Sequence, residues 1–214
     1  MRTSRMPSGV AVLACAAGLA LAVTSCGTAT ETSSASTPTV AEAPPTVADA
    51  PSTVTDAPPA VSGCPTAPPE AGGTPDWTLP GATGSVAVTG STDTAAPLVD
   101  VTAPFSVTDT QVHTLQAGTG PVVGDTATVS VCYMGVNGRD GTVFDSSYER
   151  GAPVEFPLEG VIPGFQKAIA GQTVGSTVAV AMTSADGYPD GQPAAGIQPG
   201  DSLIFALEIL DATG

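Results

Sequence analysis

GVIPGFQKAIAGQTVGSTVAVAMTS, residues 160–184, carries the chain's best helix signal and, directly after it, a strand signal. Pro163 suits a first helical turn, where its missing N–H costs no hydrogen bond, and Gly171 suits a helix end. Phe165 and Ile169, four apart, would share the buried face. The spacing predicts a short helix from about Pro163 to Ala170, followed by a strand within Val174–Ser184. Four further stretches read as strands, several with period-two alternation: Gln111–Gln116, Asp125–Gly135, Thr142–Ser146 and Ser202–Asp211. Five strands and one short helix predict an α+β domain over residues 110–214, its antiparallel sheet wrapped around the helix.

Upstream the signals weaken. Residues 64–109 hold Trp77, the alternating SVAVT of Ser85–Thr89 and the apolar Leu98–Val101, with turn residues GSTDT between the last two. They predict a hairpin or flap, and since an isolated hairpin is marginal it should pack on the following domain. Residues 26–63 form a tether: from Gly27 to Gly63 there is no Lys, Arg, aromatic, Leu or Ile. No core can form there, so a disordered Pro/Thr/Ala stalk is expected. TVAEAPP from Thr39, TVADAPS from Thr46 and TVTDAPP from Thr53 repeat every seven residues, but proline in each copy excludes a coiled coil.

Residues 1–25 read as a secretory signal, with Arg2 and Arg5 ahead of an apolar run, Gly9–Val23, too short to span a bilayer. Val23, Thr24, Ser25 and Cys26 resemble a lipobox, which makes Cys26 the expected lipidated N-terminus; cleavage by a general signal peptidase is the alternative. The expectation is an exported protein, anchored by lipid on the outer face of the cell membrane. Twenty acids and five cations give a net charge of −15, and removal of the leader leaves three cations against the same twenty acids. That surface repels nucleic acid and anionic headgroups, so membrane association has to come from the lipid.

Conventional catalysis finds little support. His113 is the sole histidine and sits in a strand pattern, no His or Cys cluster has metal-ligand spacing, and no glycine run resembles a phosphate loop. Asp140, Asp145, Glu149, Glu155 and Glu159 could supply a carboxylate pair, but two acids among twenty is what chance provides. Chemistry here would have to proceed without a nucleophile or cofactor.

Four blocks resemble the FKBP-type peptidyl-prolyl isomerases: VSVCYMG (129–135), DGTVFDSSYERGAPVEFPL (140–158), GVIPGFQKAIAGQTVG (160–175) and LIFALEIL (203–210). The resemblance spans about Thr110–Asp211 and implies a five-stranded antiparallel half-barrel over a short helix, with a proline-binding hollow between them. It implies Tyr133, Phe144, Asp145 and Tyr188 as catalytic residues, and Arg150, Val161, Ile162, Phe165, Ile197 and Phe205 as substrate-binding ones. Phe144, Phe165 and Phe205 with Val161 and Ile162 would wall the hollow, Phe165 as its floor. Tyr188 and the Ile162 backbone N–H would donate to substrate carbonyls, and Asp145, bonded to Tyr133 and paired with Arg150, would lie near the rotating amide. Taken singly, most of these apolar residues also fit a plain core. The implied partners are proline-containing polypeptides and a macrolide; the implied activity assists folding of exported proteins, with a proline-binding or chaperone module of weak turnover as the alternative. Val154, the GYPDG run (187–191) and the Ala195–Gly196 pair depart from the family pattern around the rim, leaving Ile197 to cap the hollow alone.

With Tyr133 facing the hollow, strand alternation sends Cys132 to the other face of the sheet. Cys64 and Cys132 are then the cysteines left after Cys15 is removed with the leader and Cys26 is lipidated. In an oxidising compartment they could pair, or both remain free thiols.

Overall fold

The computed structural model describes residues 63–69 and 72–214. The signal segment 1–25, Cys26 and the tether up to residue 62 lie outside the described residues.

The first elements are β1 (Trp77–Pro80), β2 (Thr83–Thr89) and β3 (Leu98–Ser106), an antiparallel sheet in the order β1-β2-β3. SVAVT lies in β2, and its Val86 stands opposite Val101 of β3. The third strand runs past Pro104 to Ser106, further than the apolar pattern suggested. Proline is tolerated there because β3 is an edge, where a missing N–H breaks no ladder.

The larger sheet contains β4 (Gln111–Gln116), β5 (Thr128–Asn137), β6 (Val143–Ser146), β7 (Val154–Pro157), β8 (Thr177–Met182) and β9 (Leu203–Thr213), in the order β4-β8-β9-β5-β6. The sequence suggested five strands. The sixth, β7, adds no lane: β6 pairs with Met134–Val136 and β7 with Thr128–Val131 along one edge of β5. Between them the chain leaves the sheet for a one-turn helix, α1 (Ser147–Arg150), capped by the Ser146 hydroxyl, which accepts from the Glu149 N–H at 3.3 Å, and by Gly151 at φ 68°. VEFP is too short to stand out by alternation alone, which is why β7 escapes a sequence reading.

The helix wrapped by this sheet is α2 (Pro163–Ile169), with Pro163 in its first turn and Ala170 as C-cap, inside the predicted bounds. Phe165, Ala168 and Ile169 are buried. They meet Val129 and Val131 of β5, Val178, Val180 and Met182 of β8, and Leu203, Phe205, Leu207 and Ile209 of β9 in one core cluster. The alternate residues of the same strands, Val136, Ala179, Ala181, Ile204 and Ala206, point to the opposite face and pack with Val86, Val88 and Phe105 of the small sheet. Burial on both faces makes β8 buried at every position, and the alanines let the second sheet approach closely. Each Val or Ile fully buried in such a layer contributes roughly 1.5–3 kcal/mol relative to exposure.

A third cluster ties down the chain entering the domain. Cys64 is disulfide-bonded to Cys132, with Cα atoms 5.7 Å apart and a separation of 68 positions in sequence. Cys64, Cys132, Ala96 and Tyr148 are buried together.

Candidate functional site: an apolar hollow between sheet and helix

The hollow opens where β5, β6, β7 and β9 meet α2. Its volume is about 240 Å³, and it is lined by Tyr133, Phe144, Asp145, Val154, Phe156, Gly160, Val161, Ile162, Phe165, Tyr188 and Phe205. Strand alternation sets the wall: Tyr133 and Gly135 share a face of β5, and Phe205 stands opposite Gly135 in the neighbouring strand. Gly135 is required there. A Cβ on it would lie 2.6 Å from the Phe144 ring and 2.7 Å from the Phe205 ring.

The aromatics pack edge to face. Phe165 and Phe205 have ring centroids 4.6 Å apart at 88°, Phe144 and Phe205 are 5.5 Å apart at 88°, and Tyr133 and Phe165 are 5.7 Å apart at 87°. Such pairs are worth about 0.5–1.5 kcal/mol beyond their area burial and fix the ring planes. Phe165, from the first turn of α2, is buried beneath them. Phe156 lines the hollow and packs against Phe165 at 5.9 Å. Sequence reasoning missed it because β7 was missed; the alternation of Val154 and Phe156, both facing inward, was the available signal.

One polar group on the wall is elaborately held. The Tyr133 phenol donates to Asp145, and Arg150 Nη1 donates to the other carboxylate oxygen at 2.5 Å. Burial pushes the Asp145 carboxyl upward, but the hydrogen bonds from Tyr133 and Arg150 and the guanidinium charge outweigh it, leaving the carboxyl below its ordinary range. Burial first, then the bond to Asp145, pushes the Tyr133 phenol upward. Arg150 does not line the hollow. It extends from α1 with its guanidinium 5.9 Å from the Tyr133 ring centre.

Two residues that line the hollow carry a donor without a protein acceptor: among the described residues neither the Tyr188 hydroxyl nor the Ile162 backbone N–H has a protein partner. The loop bearing Tyr188 is pinned at both ends. Asp186 accepts from Lys167 Nζ of α2 at 2.6 Å and from the Thr110 hydroxyl at 2.5 Å. The Lys167 hydrogen bond, then the Thr110 one, holds its carboxyl below the usual range. At the other end, Arg139 donates to Gly196 O at 3.0 Å and pairs with buried Asp201, which also accepts from Asn137 Nδ2 at 2.8 Å.

Ile197 is the exception among the expected site residues. It is 2 % exposed, belongs to the core beneath the loop and does not line the hollow. Its amide and carbonyl pair with Gln192, which draws the side chain inward, away from the cap position expected for it. His113, on the outer strand β4, stacks on Trp77 at 5.5 Å, away from the hollow.

Comparison with known proteins places the chain by its sequence. Residues 120–210 match the family profile of the FKBP-type peptidyl-prolyl cis-trans isomerases. The chain is 33% identical over 117 residues to the FK506-binding protein of Streptomyces anulatus, covering 53% of this chain and 94% of that protein. It is 39% identical over 101 residues to the FKBP-type 22 kDa peptidyl-prolyl cis-trans isomerase of Escherichia coli, covering 47% of this chain and 48% of that one. The crystal structure of FkpA from Escherichia coli matches at 37% identity with a TM-score of 0.44, over 49% of this chain and 47% of that chain. By its match to nearly the whole of the Streptomyces anulatus protein, the chain belongs to the FKBP-type peptidyl-prolyl cis-trans isomerase family. It spans less than half the length of the 22 kDa relative.

Proposed function

We propose that the domain is a peptidyl-prolyl cis/trans isomerase. The observation that carries this reading is an aromatic-walled hollow with no Ser, Cys, His or Lys among the described residues that line it, whose one carboxylate, Asp145, is tied up by Tyr133 and Arg150, leaving neither a nucleophile nor a free base beside it. Prolyl rotation needs neither. The planar amide separates charge by resonance, and the twisted transition state does not, so moving the amide out of water destabilises the planar form more than the twisted one. Phe144, Phe165, Phe205 and Val161 exclude water from the ring. Tyr188 and the Ile162 N–H hold flanking carbonyls. Asp145, ionised and oriented by Tyr133 and Arg150, lies where the rotating carbonyl carbon loses its resonance. The uncatalysed barrier is about 18–20 kcal/mol, and each ~1.4 kcal/mol removed from it is tenfold in rate.

Proline-containing polypeptides are the substrates in this reading, and FK506 would compete for the same hollow. The lipobox around Cys26 and the proline-rich tether support placement outside the cell membrane, on a lipid anchor, with exported proteins as clients. A protease-coupled assay on an Ala-Pro or Leu-Pro peptide tests the activity: acceleration that FK506 suppresses supports it. Binding without acceleration leaves a proline-binding module, the reading that the valine at position 154 and the inward Ile197 would favour. Radiolabelled palmitate incorporation that disappears in Cys26→Ala tests the anchor.

A further inference from the structure

We infer that this hollow selects prolines flanked by lysine or arginine, and that Glu159 and Asp190 are the specificity-determining residues; the inference rests on the isomerase reading. From residue 72 onward the chain has fifteen acids and only three cations. Each of those cations is already paired: Arg139 with Asp140 and Asp201, Arg150 with Asp145, and Lys167 with Asp186. Two of the pairs flank the hollow and cancel there. Glu159 and Asp190 do not cancel. Both are exposed and neither forms a salt bridge among the described residues. Glu159 precedes Gly160 on one lip of the hollow, and Asp190 follows Tyr188 by two residues on another.

An apolar cavity with a mouth of one sign concentrates ligands of the opposite sign, and low-dielectric walls strengthen the field. The proline ring fits the apolar floor, and cationic side chains on either side of it meet the two carboxylates. Segments with Glu or Asp near the proline meet like charge. The Glu-Ala-Pro and Asp-Ala-Pro repeats at residues 42–44, 49–51 and 56–58 are of that disfavoured type.

The test uses the full chain and two peptides that differ only in their flanks, Lys-Lys-Ala-Pro-Phe-Lys and Glu-Glu-Ala-Pro-Phe-Glu. Isomerisation is read by NMR exchange and binding by chemical-shift titration. The lysine peptide is expected to show about five- to tenfold higher kcat/KM at 20 mM salt, falling below about twofold at 1 M as screening shortens to ~3 Å. Glu159→Gln with Asp190→Asn should remove most of that difference, whereas Asp93→Asn with Asp100→Asn at the small sheet, the same change of two charges, should leave it intact. Equal turnover of the two peptides, or a preference that survives in the double variant, overturns the inference. Failure to turn over either peptide contradicts the isomerase reading instead, and the titration then decides: tighter binding of the lysine peptide supports the selectivity, and equal binding overturns it.

Discussion

Cys132 and Tyr133 are neighbours in β5 that face opposite ways: Cys132 is bonded to Cys64 behind the sheet, and Tyr133 stands in the hollow. The Ser147 hydroxyl, at the start of α1, accepts from the Tyr133 N–H at 2.8 Å and lies 3.4 Å from Cys64 Sγ. The disulfide thus anchors the entering chain against the strand that carries the site, while the side-chain bonds from Tyr133 and Arg150 to Asp145 are made without it.

The paired variant Cys64→Ser, Cys132→Ser should therefore lose stability without losing the site. Opening a loop of 68 residues removes about 4 kcal/mol on the chain-entropy estimate. Urea unfolding under non-reducing conditions should show that loss, with kcat/KM unchanged within about twofold where the variant remains folded.

Gly135→Ala probes the opposite case. Its Cβ would collide with the rings of Phe144 and Phe205, so one ring must leave its edge-to-face position. A stability loss of about 1–3 kcal/mol is expected from overpacking, together with a KM for an Ala-Pro peptide raised severalfold. An unchanged KM would show that those two rings do not grip substrate.

The pH profile should be flat where most enzymes with a titrating base are not. The Asp145 carboxyl is held below the ordinary value of 3.8, so it stays ionised through the acid range above that value. The stability its ionisation contributes is complete above the unfolded pKa and is lost only as pH falls through the depressed folded one. The Tyr133 phenol is raised above 10.0 and stays protonated up to that pH. Measured kcat/KM should vary less than about twofold from pH 5 to 8 and decline only below about pH 4.

Glu208 on β9 tests the back of the sheet. Burial raises its carboxyl above the ordinary value, a shift that the hydrogen bond from Ser91 at 2.9 Å only partly offsets. An acid with a raised folded pKa destabilises the fold while ionised, and that cost is relieved as pH falls through the raised value. Glu208→Gln should be more stable than the natural chain at pH 7, with the two converging on acidification, as urea midpoints at each pH would show.

Much of this fold was legible in the sequence because period and punctuation agreed. Pro163, Phe165, Ile169 and Gly171 marked α2 within a residue. The stretches expected as strands at β4, β8 and β9 are strands, although only β8 and β9 are buried and β4 is exposed along nearly its whole length. The two faces of β8 were also readable after the fact: Val178 and Val180 fill the thick core against α2, while Ala179 and Ala181 accept a second sheet. The losses have a common cause. β1, β7 and α1 are four residues each, a length at which period separates few stretches from chance; β6, equally short, is the one legible in the sequence. Phe156 went unseen with β7. Ile197 is expected on the rim from the family resemblance alone, but its side-chain direction depends on pairing with Gln192 across a loop, which no local pattern encodes.

The isomerase reading is tested most directly by NMR exchange on an Ala-Pro peptide, comparing the natural chain with Tyr188→Phe and Asp145→Ala. The natural chain should produce cis/trans exchange fast enough to measure against an uncatalysed process of tens to hundreds of seconds. Loss of one hydrogen bond of about 1 kcal/mol in Tyr188→Phe should slow exchange about fivefold, and Asp145→Ala should slow it at least tenfold. Exchange no faster than in free peptide, or catalysis unaltered in both variants, would contradict it.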